Sequence, residues 1–293
     1  SELGKIAGIQ FAIHENINIY GTKYKLHFSK ETKVQLIRLR NDLCTLSSIQ
    51  KNRLCENCKI MFMQRFYGVN QYIYFSKVHE SMIVQIYKRL LHDLENLSLG
   101  FEIIEHSHYE RIKKFIAITN SSVYQLNVKG DDKAKGFVCK EYSVEFLLDL
   151  FDLDLNNLME PILDIGCGKY GSLVCYLQAS GLQAFGFDRN ASGKNIVAMD
   201  WMTYDYGENT WGCIISNLSF SSHFLYHHLR NDDISNLYAM AYMDILSSLK
   251  KNGKWIYAPS IDFFEDLLPR DLYLIEREKI HEDFSKTTIV KLY

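Results

Sequence analysis

The chain has 293 residues, 47% hydrophobic and 23% charged, which is enough apolar material for a sizeable core and too much for a disordered chain. Only 3 prolines occur where average usage of about 5% would give about 15, so proline-rich linkers and collagen-like segments are excluded and mostly regular structure is expected. Residues 1–150 carry 21 basic against 16 acidic side chains and the remainder 12 against 19, so the halves bear +5 and −7 and sum to −2; an excess this small permits a nucleic-acid partner for the first half without demanding one.

In chain order, residues 17–20 and 23–28 alternate apolar with polar around Gly21-Thr22, the pattern of a hairpin with one buried face. Helical spacing follows from Glu31 to about Leu46, and more clearly at Met82, Ile83, Ile86, Leu90, Leu91 and Leu94. Gln71–Val78 and Ser121–Val128 read as strands and His108–Ile116 as a helix, so the first half is expected to be α+β. Glu145–Leu158 is expected to be helical. From Pro161 the pattern changes: short apolar strands at 162–165, 184–187, 195–199, 211–216 and 254–258 alternate with helices at 173–180 and from about Ile234 to Leu249. Such alternation predicts a parallel sheet with right-handed crossovers. Leu272–Ile280 and Thr287–Tyr293 read as a closing antiparallel pair. All three prolines and all three tryptophans lie beyond residue 160, and the expected division is an N-terminal domain over 1–140 and a second domain over 141–293.

Seven cysteines, an odd number scattered along the chain, and a first stretch without an apolar signal core suggest a reducing cytoplasm. No apolar run reaches the roughly 18 to 20 residues of a bilayer span. Cys55-Glu-Asn-Cys58 is half of a zinc knuckle, with Cys44, His106 and His108 as the available complement. A structural zinc site needs four ligands at defined spacing, so two reduced thiols near a turn is the favoured reading and no metal is expected.

The strongest local signal is Asp164-Ile165-Gly166-Cys167-Gly168-Lys169-Tyr170-Gly171, directly after a strand and before a helix. Glycines let the backbone turn tightly and approach a ligand, and the helix start beyond presents main-chain N–H groups. Asp188 ends the second strand twenty residues after Gly168, where a carboxylate can accept both hydroxyls of a ribose. Asp200-Trp201 follows the third strand, where Asp200 can accept from an adenine amino group while the indole covers the ring. Each element alone is better read as a solvated loop residue or cap. Their placement at the ends of three consecutive strands favours one ligand site.

With these motifs the second half resembles the class I S-adenosylmethionine-dependent methyltransferases, over roughly residues 145–293. Leu163-Asp164-Ile165-Gly166-Cys167-Gly168 matches the family's first motif, Asp188 its second, Asp200-Trp201 its third, and Ser216-Asn217-Leu218-Ser219-Phe220 stands at its fourth. The resemblance implies a Rossmann-like domain with a mostly parallel seven-stranded sheet and S-adenosylmethionine as cofactor. It places Asp164, Gly166 and Gly168 by the methionine part, Asp188 at the ribose, Asp200 and Trp201 at adenine, and Asn217 and Leu218 at the fourth motif, with Cys167 and Arg189 also expected among the cofactor-binding residues. Two departures stand out. Lys169-Tyr170 lengthens the glycine turn by one residue, and Asp188 and Asp200 are too close for a full helix and strand, so the second crossover should be a loop. A nicotinamide-dinucleotide site uses a similar turn, but a carboxylate at Asp164 repels a diphosphate and favours a cation.

Methyl transfer needs an aligned nucleophile and, for some nucleophiles, a base. His223 and His227, one helical turn apart after the fourth strand, are the candidates, weighed against helix histidines without a chemical role. Asn217-Leu218-Ser219-Phe220 keeps the outer letters of the Asn/Asp-Pro-Pro-Tyr/Phe motif of amino-nitrogen methyltransferases without its prolines. Phe220, Phe224, Tyr226, Phe263 and Phe264 are candidates to line a pocket, with core packing the favoured role for most. The expected function is methylation of an O, N or C nucleophile on a small-molecule substrate, in biosynthesis, with the first half selecting the substrate. The alternatives are an RNA methyltransferase using the basic first half, and a cofactor-binding protein without catalysis.

Overall fold

A computed structural model describes residues 28–69, 71–120, 142–281 and 284–293. The chain divides into two compact units, Ser1–Val138 and Cys139–Tyr293.

The described part of the first unit is helical: α1 Lys30–Asp42, α2 Ser48–Val69, α3 Lys77–Glu95 and α4 Phe101–Thr119, with a 3-10 turn at Leu43–Thr45. Their apolar faces meet in one core that includes Leu43, Phe62, Ile73, Ile83, Leu94, Ile104 and Ile116. The expected α+β character is not found among the described residues. Residues 71–76 connect α2 to α3 rather than form a strand; Ile73 and Phe75 point inward, and Tyr74 exchanges main-chain hydrogen bonds with the side chain of Asn120 instead of with a neighbouring strand. The hairpin expected over 17–28, apart from Phe28, and the strand over 121–128 lie outside the described residues. Cys55 and Cys58 sit within α2 rather than by a turn, and burial raises their thiols to about 11 and about 12. Among the described residues, no group of three or more His, Cys, Asp or Glu side chains is arranged to hold a metal ion.

The second unit opens with α5 Val144–Leu150, shorter than the helix expected over 145–158 because the backbone turns at Asp152, whose φ is 45°. Lys286 fixes this end by donating to the Leu150 carbonyl and pairing with the Asp152 carboxylate. Then follow β1 Ile162–Ile165, α6 Ser172–Ala179, β2 Ala184–Asp188, β3 Ile196–Ala198, β4 Trp211–Asn217, α7 Phe220–Arg230, α8 Ile234–Ser248, β5 Leu249–Ala258, the short α9 Asp262–Glu265, β6 Tyr273–His281 and β7 Phe284–Lys291. The sheet order is β3-β2-β1-β4-β5-β7-β6. The first five strands run parallel, and β7 pairs antiparallel with both β5 and β6.

Two-residue periodicity distributes the apolar strand residues between the faces. Leu163, Ile165, Ile214, Trp255 and Tyr257 join Phe220, Phe224, Tyr238 and Tyr242 of α7 and α8 in one cluster. Ile162, Cys213, Ile215, Ile256 and Ala258 join Leu150, Leu173, Val174 and Leu177 of α5 and α6 in the other. As expected, no helix intervenes between β2 and β3. No helix among the described residues is long and apolar enough to cross a membrane.

Candidate functional site

The parallel register brings the carboxyl ends of β1, β2, β3 and β4 to one edge of the sheet, where an open α/β sheet takes its ligand. Asp164, the third residue of β1, is buried at this edge. Burial, and then the charge of Asp188, raise its carboxyl to about 7. A carboxylate held there out of water and beside a second one is stabilised by a cation.

The glycine turn after β1 is built on protein contacts before any ligand. Gly166 and Cys167 both give their N–H to the Phe187 carbonyl of β2, at 2.9 and 3.2 Å. Gly166 has φ 72°, and a Cβ on it would lie 2.4 Å from the Ser219 Cβ and 3.4 Å from the Trp201 ring. Both the backbone conformation and the space therefore demand glycine. Gly168, at φ 78°, carries the turn onward, and the Cys167 thiol points back to the Gly168 carbonyl at 3.6 Å. Ser219, given no role of its own in the fourth-motif stretch, donates to the Ile165 carbonyl at 2.8 Å and accepts from Ser216, so a hydroxyl pair ties the end of β4 to the end of β1. A serine after a strand gives no sequence signal of such a link.

Asp188 ends β2, and one of its carboxylate oxygens accepts from the Asn190 N–H at 2.7 Å. Asp200 accepts from the Met202 N–H at 2.9 Å and lies 3.9 Å from the Arg189 guanidinium. Arg189 also stacks over the Trp201 ring, 5.2 Å from its centre. Trp201 corrects the sequence expectation. Its indole is only 4% exposed, donates to the Tyr238 hydroxyl at 3.1 Å and meets His223 and Phe220 edge to face. It is a packed wedge beneath the glycine turn, not an open face for adenine.

The histidines are placed differently from a substrate base as well. His223 and His227 are each 3% exposed and lie on the face of α7 turned toward Tyr238. Burial, then Arg189, hold His223 well below the ordinary imidazole value; burial lowers His227, partly offset by Asp232. His227 Nδ1 bonds the Asp232 carboxylate at 2.9 Å, and its buried Nε2 has no partner among the described residues. Neither ring reaches an open surface. Phe220 and Phe224 are core residues, Phe264 packs on Tyr242, and Phe263 stacks on His228 at 3.5 Å, so most of the expected pocket aromatics pack against one another.

Asn217 ends β4, and its side-chain oxygen is buried without a partner among the described residues. Leu218 follows with φ 48°, and its N–H goes to the Ala258 carbonyl of β5. The chain thus bends sharply where β4 leaves the sheet, leaving a polar acceptor at the edge shared with Asp164.

Five parallel strands followed by an inserted antiparallel last strand give this unit the Rossmann-like fold of class I methyltransferases. No protein-family model matches the chain, and no curated protein matches it. Among solved structures, a TehB-like SAM-dependent methyltransferase from Corynebacterium glutamicum is 18% identical over 47% of this chain and 85% of its own, with a TM-score of 0.34. Phospholethanolamine N-methyltransferase 2 of Haemonchus contortus is 13% identical over 51% of this chain and 52% of its own, with a TM-score of 0.37. A 16S rRNA N2 G1207 methyltransferase of T. thermophilus is 10% identical over 50% and 39%, with a TM-score of 0.32. Strand order and direction define the fold of this unit independently of these similarities.

Proposed function

We propose that residues 141–293 bind S-adenosylmethionine and transfer its methyl group to a nitrogen nucleophile of a small molecule, and that the unit before them selects that molecule. The observation that carries this reading is Asp164, a buried carboxylate beside Asp188 at the mouth of the glycine turn. That donor set suits a ligand with a cationic end and a ribose, because a carboxylate pair repels the diphosphate of a dinucleotide and attracts an ammonium or sulfonium.

Bound there, S-adenosylmethionine supplies an already activated methyl. The chain's own task is to hold and align. Asp164 faces the positive charge, Asp188 accepts from the ribose hydroxyls, Asp200 offers its oxygen not used by Met202 to the adenine side, and Arg189 covers Trp201 between them. Asn217 offers an unpartnered side-chain carbonyl at the end of β4, an acceptor that can hold the N–H or O–H of a nucleophile and turn its lone pair toward the methyl. A neutral amine attacks before it loses its proton, so a substrate base is not required for this step, in keeping with the burial of His223 and His227.

A small substrate is favoured over RNA by the charge pattern of the first unit. Six of its described basic side chains are ion-paired with acids of the same unit, among them Lys51–Glu95, Lys59–Glu80, Lys77–Glu80 and Arg111–Asp93, and its net excess of positive charge is small. A phosphate-binding stripe needs such groups open along one face. The test is calorimetric titration with S-adenosylmethionine and with NAD, followed by transfer of labelled methyl into pooled small amines and into RNA. Heat with the first ligand alone and label in the amines are expected; no heat with S-adenosylmethionine overturns the reading, and label in RNA overturns the substrate. Replacing Asp188 by Ala should weaken cofactor binding by about 1–3 kcal/mol through the lost ribose hydrogen bonds.

A further inference from the structure

The two departures from the family pattern, a glycine turn lengthened by Lys169-Tyr170 and a β2–β3 connection too short for a helix, meet in space. Ser192 of that connection donates its N–H to the Lys169 carbonyl at 2.9 Å, and its hydroxyl lies 3.5 Å from the same oxygen. Gly193 follows so close to the turn that a Cβ on it would stand 2.9 Å from the Tyr170 carbonyl oxygen. Asn195 donates to the Gln178 side chain of α6 at 2.7 Å, and the buried Ile196 side chain packs against Gly171 at the start of α6. At its other end the connection begins at Asp188, where the Asn190 N–H holds the carboxylate.

We propose that Ser192 and Gly193 are positioning residues for the methyl donor: they brace the lengthened glycine turn so that it receives the amino-acid end of the ligand. The physical reason is entropic. Lys169 and Tyr170 are exposed and add a residue to a turn whose first two N–H groups are already spent on Phe187, so the remainder of the turn would sample many conformations unless held from outside. A full crossover helix would carry the chain away onto a face of the sheet; a seven-residue connection, 189–195, keeps it at the carboxyl edge, against the turn. One short segment thereby joins the ribose carboxylate to the loop at the opposite end of the ligand.

This inference rests on the donor reading above, and its test separates the two. Calorimetry is carried out on the full chain with S-adenosylhomocysteine and with 5′-deoxy-5′-methylthioadenosine, which keeps adenine and ribose but lacks the amino-acid end. Gly193→Val, with Gly193→Ala as the milder variant, is expected to weaken S-adenosylhomocysteine binding roughly tenfold and to leave methylthioadenosine within about twofold of the parent chain. Equal losses for both ligands, or no loss for either in both Gly193 variants, overturn the positioning role. A parent chain that binds neither ligand overturns the donor reading itself.

Discussion

At the scale of single residues, Asp164 is where stability and binding pull in opposite directions. An aspartate raised from 3.8 to about 7 binds its proton more tightly in the folded chain than in the unfolded one. Folded stability is therefore lost as pH rises between those two values, and the full cost, on the order of 4 kcal/mol, is present above pH 7. Asp164→Asn should raise the melting temperature of the ligand-free protein at pH 8 and leave it little changed near pH 3. On the proposed reading the same ionisation creates the cation site, so S-adenosylmethionine should bind roughly tenfold more weakly at pH 6 than at pH 8, and Asp164→Asn should bind it weakly with a flat profile. A parent chain whose affinity does not change across that range has no titrating carboxylate at the ligand. The residues of this edge were legible because strand, glycine turn and acid occur in a fixed order. What the order does not encode is which faces neighbouring elements cover. Trp201 and the two histidines have the right positions along the chain, but Tyr238 of α8 packs against all three rings and they are buried.

Among the elements, α3 was readable from its apolar spacing and α2 was not, because α2 mixes Lys, Asn, Cys, Glu and Met around its circumference and gives no clear stripe. Residues 71–76 mislead for a complementary reason. Burying Ile73 and Phe75 imposes the two-residue alternation of a strand, while Asn120, far along the chain, takes the hydrogen bonds that would identify one. The start of α3 carries its own prediction. Ser76 caps the helix by accepting from the His79 N–H, and His79 Nδ1 accepts from the Ser76 N–H, which only the neutral ring can do. Burial holds the His79 imidazole below its ordinary value of 6.5. A base whose folded value is depressed contributes stability that is present above pH 6.5 and is lost as pH falls through the folded value. A cationic ring at a helix N-terminus is opposed by the helix dipole as well. The cap should therefore lose up to about 1 kcal/mol on acidification. His79→Gln, which keeps an acceptor without titrating, should lack that component in denaturant midpoints measured between pH 7.5 and 5.

For the whole molecule, the described apolar clusters are closed within their own units: Phe28 to Ile116 in the first, Leu150 to Ile289 in the second. The second unit is further locked at its closing strands by Glu265, which is fully buried and accepts from the Tyr257 hydroxyl, the Ile261 N–H, Thr287 and Arg277, drawing β5, β6 and β7 to one carboxylate. Each unit thus holds the contacts needed to melt as its own cooperative body. A ligand at the carboxyl edge of the sheet adds stability only to the unit that binds it, about 2.7 kcal/mol at a hundredfold excess over the dissociation constant. For a body of this size that corresponds to about 5–10 °C. Scanning calorimetry should show two transitions, and saturating S-adenosylhomocysteine should move one and leave the other in place. Glu265→Gln, which weakens the lock around β5, β6 and β7, should lower the transition that the ligand raises. If instead the ligand raises one transition and the substitution lowers the other, the site and the sheet belong to different cooperative bodies, and the assignment of the ligand to the β1–β4 edge fails.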